Sequence, residues 1–167
     1  MRTTSFVAVA LGLLAAACGG SGGDAGVPGP RIELIPDAVA AIEDHYGAPQ
    51  EYFEISAGLD AVGFVVAVDE ATMAEQGSYG SDGTFVAPEP VGEASGETFF
   101  ADQIDFDPDL IFEQVREELD DPVIVDLAIQ GGPNDTVVYD ASIASDGGGV
   151  LLVLLGPDGT IQGAQGQ

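Results

Sequence analysis

The hydrophobic and polar positions follow a helical period first and a strand period afterwards, and this order occurs twice along the chain. In the first half, apolar residues with the spacing of one helical face follow Pro36-Asp37, at Val39, Ile42 and Tyr46. Gly47 follows directly and is typical of a helix end. The pattern therefore predicts a first helix that begins near residue 36.

Four strands are predicted after this helix. In the first of them, Phe53, Ile55 and Ala57 are expected on the buried side, with Tyr52 and Glu54 on the polar side. The four segments are residues 51–57, 61–69, 76–81 and 84–87, the last two joined by a tight turn at Asp82-Gly83.

The second half shows the same order of elements. A second helix is predicted from Pro108-Asp109, because proline fits the first helical position and Asp107 is placed to cap it. Its apolar stripe is Ile111, Phe112, Val115 and Leu119. Strands are predicted over residues 123–129, 136–143 and 150–155, with turns at 131–135, 147–149 and 156–160, the last of which forms a final hairpin.

Two short sequences recur at similar distances and favour a tandem repeat. Pro36-Asp37 returns 72 residues later as Pro108-Asp109, and the segment 80–84 (Gly-Ser-Asp-Gly-Thr) returns 76 residues later as 156–160 (Gly-Pro-Asp-Gly-Thr). Asp-Gly turns are common and could recur by chance. The evidence for a repeat is therefore that the order, the spacing and the type of the elements agree between the two halves. The expected fold class is α+β, with two tandem helix-plus-four-stranded antiparallel meander units in one domain.

The boundaries of these units follow from the turns and prolines. The first α-β-β-β-β unit is expected over residues 31–88 and the second over 104–167. Residues 89–103 are expected to form the loop between them, since proline, glycine and serine are frequent there. Phe99-Phe100 are expected to re-enter the core; if exposed, they would mark a contact patch.

The start of the chain has the composition of a targeting segment. Arg2 precedes an apolar run, Phe6 to Leu14, that is far shorter than the ~20 residues needed to span a bilayer. The sequence Leu14-Ala15-Ala16-Ala17-Cys18 resembles a bacterial lipobox, although Ala15 stands where that pattern more often has leucine. The resemblance implies a signal peptide at residues 1–17, a lipid on Cys18 and a place on the extracytoplasmic face of the cell membrane. The alternatives are a secreted protein whose cysteine is removed with the signal, and a protein whose N-terminal segment stays uncleaved as an anchor.

A tether is expected between the anchor and the domain. Residues 18–30 contain the lipidated cysteine and a glycine-rich stretch that behaves as a flexible coil. Cys18 is the only cysteine, so an intramolecular disulfide is excluded and the core has to hold the fold.

The charge balance restricts the partners. Aspartate and glutamate number 29 against three arginines and no lysine, which gives a formal charge of −26. Nucleic acid and anionic lipid are disfavoured as direct partners, because a phosphate-binding face needs clustered Lys or Arg. The acids are expected to solvate the surface, as in a protein of a saline habitat, or to form an acidic docking face.

The order of helices, turns and core residues is similar to that of a family of uncharacterised actinobacterial envelope lipoproteins. The similarity covers nearly all of the mature chain and includes the turn at 80–84, Phe99-Phe100, Asp105, residues 148–151 (Gly-Gly-Val-Leu) and the turn at 158–160. More distantly, the helix-plus-meander arrangement resembles PepSY-like domains and the β-lactamase inhibitory protein. These resemblances imply a non-enzymatic module that binds an envelope protein or has a structural role there. They carry over no binding residue.

Candidate catalytic and metal-binding residues are few. His45 is the only histidine and is expected near a helix C-terminus, where its charge favours the helix dipole. Asp105, Asp107 and Asp109 alternate as in a calcium loop, but Pro108 interrupts them, and capping of the second helix explains the acids more simply. No catalytic residue and no cofactor is predicted. A carboxylate-based hydrolase and a calcium-stabilised acidic domain stay open as alternatives.

Overall fold

The computed structural model describes residues 29–119, 122–144 and 149–166, and these form two α-helices and one antiparallel sheet of nine strands. The strands follow the order β4-β3-β2-β1-β6-β7-β8-β9, with β5 paired to the start of β1. The helices are α1 (Ile35–Tyr46) and α2 (Pro108–Glu118), and short 3₁₀ turns lie at Ile32–Leu34 and Ala101–Gln103. The strands are β1 (Glu51–Ala57), β2 (Ala61–Val68), β3 (Met73–Gly80), β4 (Phe85–Glu93), β5 (Phe99–Phe100), β6 (Val123–Gly132), β7 (Thr136–Ala144), β8 (Val150–Leu155) and β9 (Ile161–Gly166).

The fold is mixed and mostly β. The α+β class expected from the sequence fits only roughly, because the described residues form nine strands and only two α-helices. The seam between the two halves is the pairing of β1 with β6, where Ile55 lies opposite Ile129 and Ala57 lies opposite Leu127.

Both helices cover the same face of the sheet and bury one hydrophobic core against it. Ile42 of α1 and Ile111 of α2 are fully buried in this core. The sheet contributes alternate residues of its inner strands: Tyr52, Ile55, Ala57, Val62, Phe64, Val66, Ile124, Leu127, Ile129, Tyr139, Ala141, Ile143, Val153 and Leu155. Because side chains alternate across a strand, the residues between these positions lie on the opposite face.

The two helices begin and end for local reasons. Pro36 stands in the first turn of α1, and Gly47 ends the helix in the left-handed conformation with φ of +75°. His45 lies in the last turn of α1, as the sequence predicts. Asp107 caps α2, since the backbone N–H of Leu110 donates to its Oδ1 at 3.3 Å.

Two hairpin turns predicted from Asp-Gly pairs are confirmed and have the same hydrogen bonds. Gly80 N–H donates to the carbonyl of Thr84 at 2.8 Å, and Gly156 N–H donates to that of Thr160 at 2.9 Å. In each turn the aspartate Oδ1 accepts from the threonine N–H, and the glycine has φ near +80°. An added Cβ at Gly159 would lie 2.9 Å from the Cα of Ile111, so this turn also packs closely against α2.

The predicted loop over residues 89–103 is wrong for two segments. Strand β4 continues to Glu93, and β5 occupies Phe99–Phe100. Pro88 and Pro90 are tolerated in β4 because it is an edge strand, where a missing N–H need not break a ladder. Phe99 is 1% exposed, as expected for a core residue, whereas Phe100 is 41% exposed.

The side of the sheet predicted for Tyr52 is also wrong. A β-bulge between Tyr52 and Glu54 lets Tyr52 turn toward the helices, where it is 0% exposed. Glu54 stays on the opposite face.

Residues 1–28 lie outside the described part of the chain, and with them the signal segment, the tether and Cys18. The turn predicted at 147–149 is described only at Gly149. Neither α1 nor α2, the two helices of the described ranges, has the length and apolar composition that a membrane crossing needs.

Candidate functional site: the open face of the sheet

The face of the sheet opposite the helices carries the polar alternate positions of the inner strands. We call this surface the open face, since both described helices pack on the other side. Its central residues, all half-buried, are Glu54 and Ser56 of β1, Ala61, Gly63 and Val65 of β2, Asp126, Ala128 and Gln130 of β6, and Val138, Asp140 and Ser142 of β7.

A row of small residues, which we call the trough, crosses the middle of the open face. Ser56 lies opposite Gly63 on one side and opposite Ala128 on the other. A Cβ added to Gly63 would lie 3.1 Å from Ser56 Oγ, so the two strands leave little room for larger side chains there. The trough ends at Asp140, which lies opposite Ala128.

Two further carboxylates flank this trough. Glu54 lies in the row of Val65 and Gln130, and Gln130 Nε2 donates a 3.0 Å hydrogen bond to Glu54 Oε2. Asp126 lies in the row on the other side of the trough and pairs with Ser142. Asp126 and Asp140 are thus diagonal neighbours on adjacent strands, a relationship that corresponds to about 7–8 Å between Cα atoms.

Partial burial makes ionisation of all three carboxyls less favourable than it is in water. Burial, and then the charge of Glu54, raises the pKa of Asp126 to about 6. Burial also raises the pKa of Glu54, against the lowering effect of the hydrogen bond from Gln130, and the charge of Asp140 adds to the rise. The pKa of Asp140 is raised by burial. At pH 7 the open face therefore holds carboxylate charge that its own surroundings disfavour.

No described cation neutralises these carboxylates. Arg31 forms an ion pair with Glu33, two residues along the chain. The guanidinium carbon of Arg116 lies 5.8 Å from the ring centroid of Phe112, on the same helix. His45 contacts the rings of Tyr46 and Phe85. Each of these three basic residues thus lies against a residue outside the open face.

The residues singled out by the sequence do not assemble into this site. The side chain of Asp107 caps α2, and the backbone N–H of Asp105 donates to the hydroxyl of Tyr139 at 3.1 Å. The side chain of Asp109 lies outside the described set, as does Cys18. Over the residues the structure describes, no group of three or more His, Cys, Asp or Glu side chains is placed to hold a metal ion.

The three open-face carboxylates were missed by reasoning from the sequence. Each is one acid within a strand, and an acid at an alternate position is typical of a solvated strand face. They share one surface only because β1 pairs with β6 and β6 pairs with β7. The one signal in the sequence that could have pointed to this surface was Glu54, a charged residue between the apolar residues of its strand.

A concave feature lies on the helix side. It is an apolar groove of about 540 Å³ lined by Pro30, Ile32, Glu33, Ile35, Pro36, Ile104, Phe106 and Phe112. Glu33 is the only charged residue in this lining. Ligand sites usually add a few convergent polar groups to an apolar wall, so the open face is the stronger candidate.

Comparison with protein-family models, with curated proteins and with solved structures finds no match for this chain. Function therefore has to be argued from the sequence and from the geometry of the open face.

Proposed function

We propose that the protein is a lipid-anchored extracytoplasmic module that binds a basic protein of the cell envelope on its open face, without catalysis. The lipobox-like segment ending at Cys18 and the glycine-rich stretch after it support the anchor and the tether. They also support membership of an envelope lipoprotein family.

The observation that carries the binding role is the set of three half-buried carboxylates without a described cationic partner, Glu54, Asp126 and Asp140. A lysine or arginine of a partner would form charge-assisted hydrogen bonds with them and offset the cost of their partial burial. The residues between the carboxylates, Ser56, Gly63 and Ala128, are small, so none of them places a long side chain in the way of a partner's lysine or arginine. The formal charge of −26 would also speed the approach of a basic partner.

A carboxylate-based hydrolase is the second candidate, and one observation favours it. Asp126, with its pKa of about 6, and Asp140, its diagonal neighbour, resemble an acid and base pair. Carboxyl separations of roughly 6.5–9.5 Å occur in inverting glycosidases. The binding role is preferred because the central residues of the open face, as described, include no aromatic side chain to hold a sugar. Release of product from a panel of glycosides, lost in the Asp126→Asn variant, would establish the hydrolase instead.

We further infer that the domain consists of two tandem α-β-β-β-β units, with the first extended to Glu93 by β4. Supporting this, the bulge between Tyr52 and Glu54 has a counterpart between Ile124 and Asp126, 72 residues later. The two hairpin turns with equal hydrogen bonds follow β3 and β8, the third strand after each helix. Glu54 and Asp126 are then equivalent residues, and a pseudo-twofold axis at the β1–β6 seam relates them.

The anchor is tested by changing Cys18. In the native host, Cys18→Ser is expected to release the protein from membranes or to block removal of residues 1–17. Metabolic labelling with a radioactive fatty acid should mark the wild-type chain only. Unchanged membrane retention and processing of the variant would refute the lipid anchor.

The binding role is tested with two triple variants that remove the same charge. The first is Glu54→Gln, Asp126→Asn, Asp140→Asn on the open face; the control, Glu70→Gln, Glu89→Gln, Glu93→Gln, changes exposed acids elsewhere. Each chain is cross-linked in its own membrane, and the captured proteins are identified and their affinities measured. The affinity of the first variant for a basic partner is expected to fall by about tenfold or more. The affinity of the control is expected to fall by a few-fold at most. Equal losses would show that only the overall charge matters.

A further inference from the structure

The two outer strands of the sheet, β4 and β9, differ in how well they are protected against pairing with another chain. Strand β4 carries Pro88 and Pro90, and Glu89 and Glu93 add charge. Its ladder with β3 is irregular at two places. Prolines, charges and irregularities of this kind prevent a sheet edge from accepting a further strand.

Strand β9 lacks the prolines and charges that protect β4. The segment Ile161–Gly166 contains no proline and no charged residue, in a chain with 29 acids. After one irregularity at Leu154/Leu155, its register with β8 runs unbroken from Gly163 to Gly166. Its outer side has no described partner strand, so a row of backbone N–H and C=O groups is available there.

Local contacts also hold β9 in place. The preceding turn is closed by the hydrogen bond from Gly156 N–H to the carbonyl of Thr160. Gly159 of this turn packs against the backbone of Ile111 in the buried stripe of α2. The edge is therefore presented by an anchored hairpin next to β8, whose Val153 and Leu155 are buried.

We propose that β9 is a docking edge that accepts an extended, positively charged segment of a partner protein as an additional strand of the sheet. Such strand addition obtains affinity from main-chain hydrogen bonds. The net charge of the protein indicates which partner binds at this edge. A second copy would carry a further formal charge of −26 and be repelled, whereas a basic segment is attracted. The uncharged side chains of β9 add no local repulsion. This proposal rests on the proposed function in that the partner is basic.

The first test uses a synthetic peptide of about eight residues in which lysine and threonine alternate with valine, a length and composition that favour a strand. It is added to the full chain, and backbone amide hydrogen exchange is followed by NMR. Exchange of alternate amides in 161–166 is expected to slow by about tenfold, while amides of β4 do not change. An analogue N-methylated at alternate residues cannot donate along one edge and is expected to bind at least tenfold more weakly.

Proline substitutions provide the second test. Neighbouring residues of a strand direct their N–H groups to opposite sides of the strand. Of the two variants Gly163→Pro and Ala164→Pro, one therefore breaks the ladder with β8, and the other removes a hydrogen-bond donor from the free edge. The variant that keeps the wild-type melting temperature is expected to bind the peptide about tenfold more weakly. Val91→Pro, in the already protected β4, is the matched control and should bind as the wild type does. If both β9 variants unfold, the comparison of the N-methylated peptide with the unmodified peptide tests strand addition instead.

Several outcomes would overturn strand addition. One is the absence of binding at about 1 mM peptide, and another is binding that is indifferent to N-methylation. If the open-face triple variant abolishes binding of the peptide and the peptide does not change amide exchange in β9, the proposed function is supported and the docking edge is wrong. If a peptide with glutamate in place of lysine protects β9 equally, the edge accepts strands but the basic partner is wrong. Protection of β9 that rises with protein concentration alone would identify a second copy as the occupant.

Discussion

Gln130 and Glu54 meet across the seam between β6 and β1, where Gln130 Nε2 donates a 3.0 Å hydrogen bond to Glu54 Oε2. This bond favours the charged carboxylate of Glu54, but burial outweighs it and the pKa of Glu54 is still raised. Asp126, on the same strand as Gln130, has its pKa raised to about 6 by burial and by the charge of Glu54. The seam of the sheet is therefore sensitive to pH.

Folding stability is expected to rise as the pH falls from about 7.5 to about 4.5. The folded pKa of Asp126 lies above the ordinary value for aspartate, so in this window the folded state binds more protons than the unfolded state. The cost of ionising Asp126 in the folded state is fully present above about pH 7 and is relieved as the carboxylate takes up a proton. After allowance for solvent screening we expect a gain of about 1–2 kcal/mol, measured by urea denaturation at constant ionic strength. The variant Asp126→Asn should be more stable at pH 8 and lose most of this dependence; an unchanged pH profile would contradict the assignment to Asp126.

Tyr52→Phe is expected to leave stability unchanged or to raise it by up to about 2 kcal/mol. Tyr52 is fully buried, and its hydroxyl has no hydrogen-bond partner among the residues that the structure describes. Removing an unsatisfied buried hydroxyl removes a desolvation cost. The matched control is Tyr139→Phe, because the hydroxyl of Tyr139 accepts the backbone N–H of Asp105. The control should lose about 1 kcal/mol in urea denaturation, and a clear loss in Tyr52→Phe would show that its hydroxyl has a partner in solution.

Gly77→Ala is expected to destabilise the fold by about 2–3 kcal/mol. A Cβ at Gly77 would lie 2.5 Å from the ring of Phe64 and 2.5 Å from the carbonyl oxygen of Val86, so both the core and the β3–β4 pairing would have to shift. Gly163→Ala is the control, since within the described ranges no atom beyond its own chain neighbours lies within 4 Å of its Cβ position. The control should gain up to about 1 kcal/mol, because alanine is better than glycine within a strand. Similar melting temperatures for the two variants would mean that Phe64 does not lie over β3.

Ala71→Gly is expected to stabilise the protein by about 0.5–1 kcal/mol. Asp69, Glu70 and Ala71, between β2 and β3, all have positive φ, from 51° to 60°. A left-handed conformation costs a non-glycine residue about 1–2 kcal/mol, which exceeds the entropic cost of glycine. Ala87→Gly, on the exposed part of β4, should instead lose up to about 1 kcal/mol. Thermal melts of the two variants in opposite directions would verify the left-handed turn, and a loss in both would exclude it.

The sequence by itself determined the features that depend on a few neighbouring residues. Pro36 and Gly47 act on the backbone of their own helix, Asp107 reaches the N–H of Leu110, and each Asp-Gly pair sets its own turn. The starts of β1, β2, β6, β7 and β8 were predicted for the same reason, because they follow from alternation and from the turns beside them.

Only the tertiary structure decided what depends on strand pairing. The pairing of β1 with β6 places Glu54, Asp126 and Asp140 on one face, although up to 86 residues separate them in sequence. A bulge directs Tyr52 toward the core, although the alternation of its strand predicts the polar side. The edge position of β4 allows this strand to contain two prolines. Pairing is set by how the apolar faces of distant strands are buried together, so a local pattern that shows which residues form strands does not show which of those strands become neighbours.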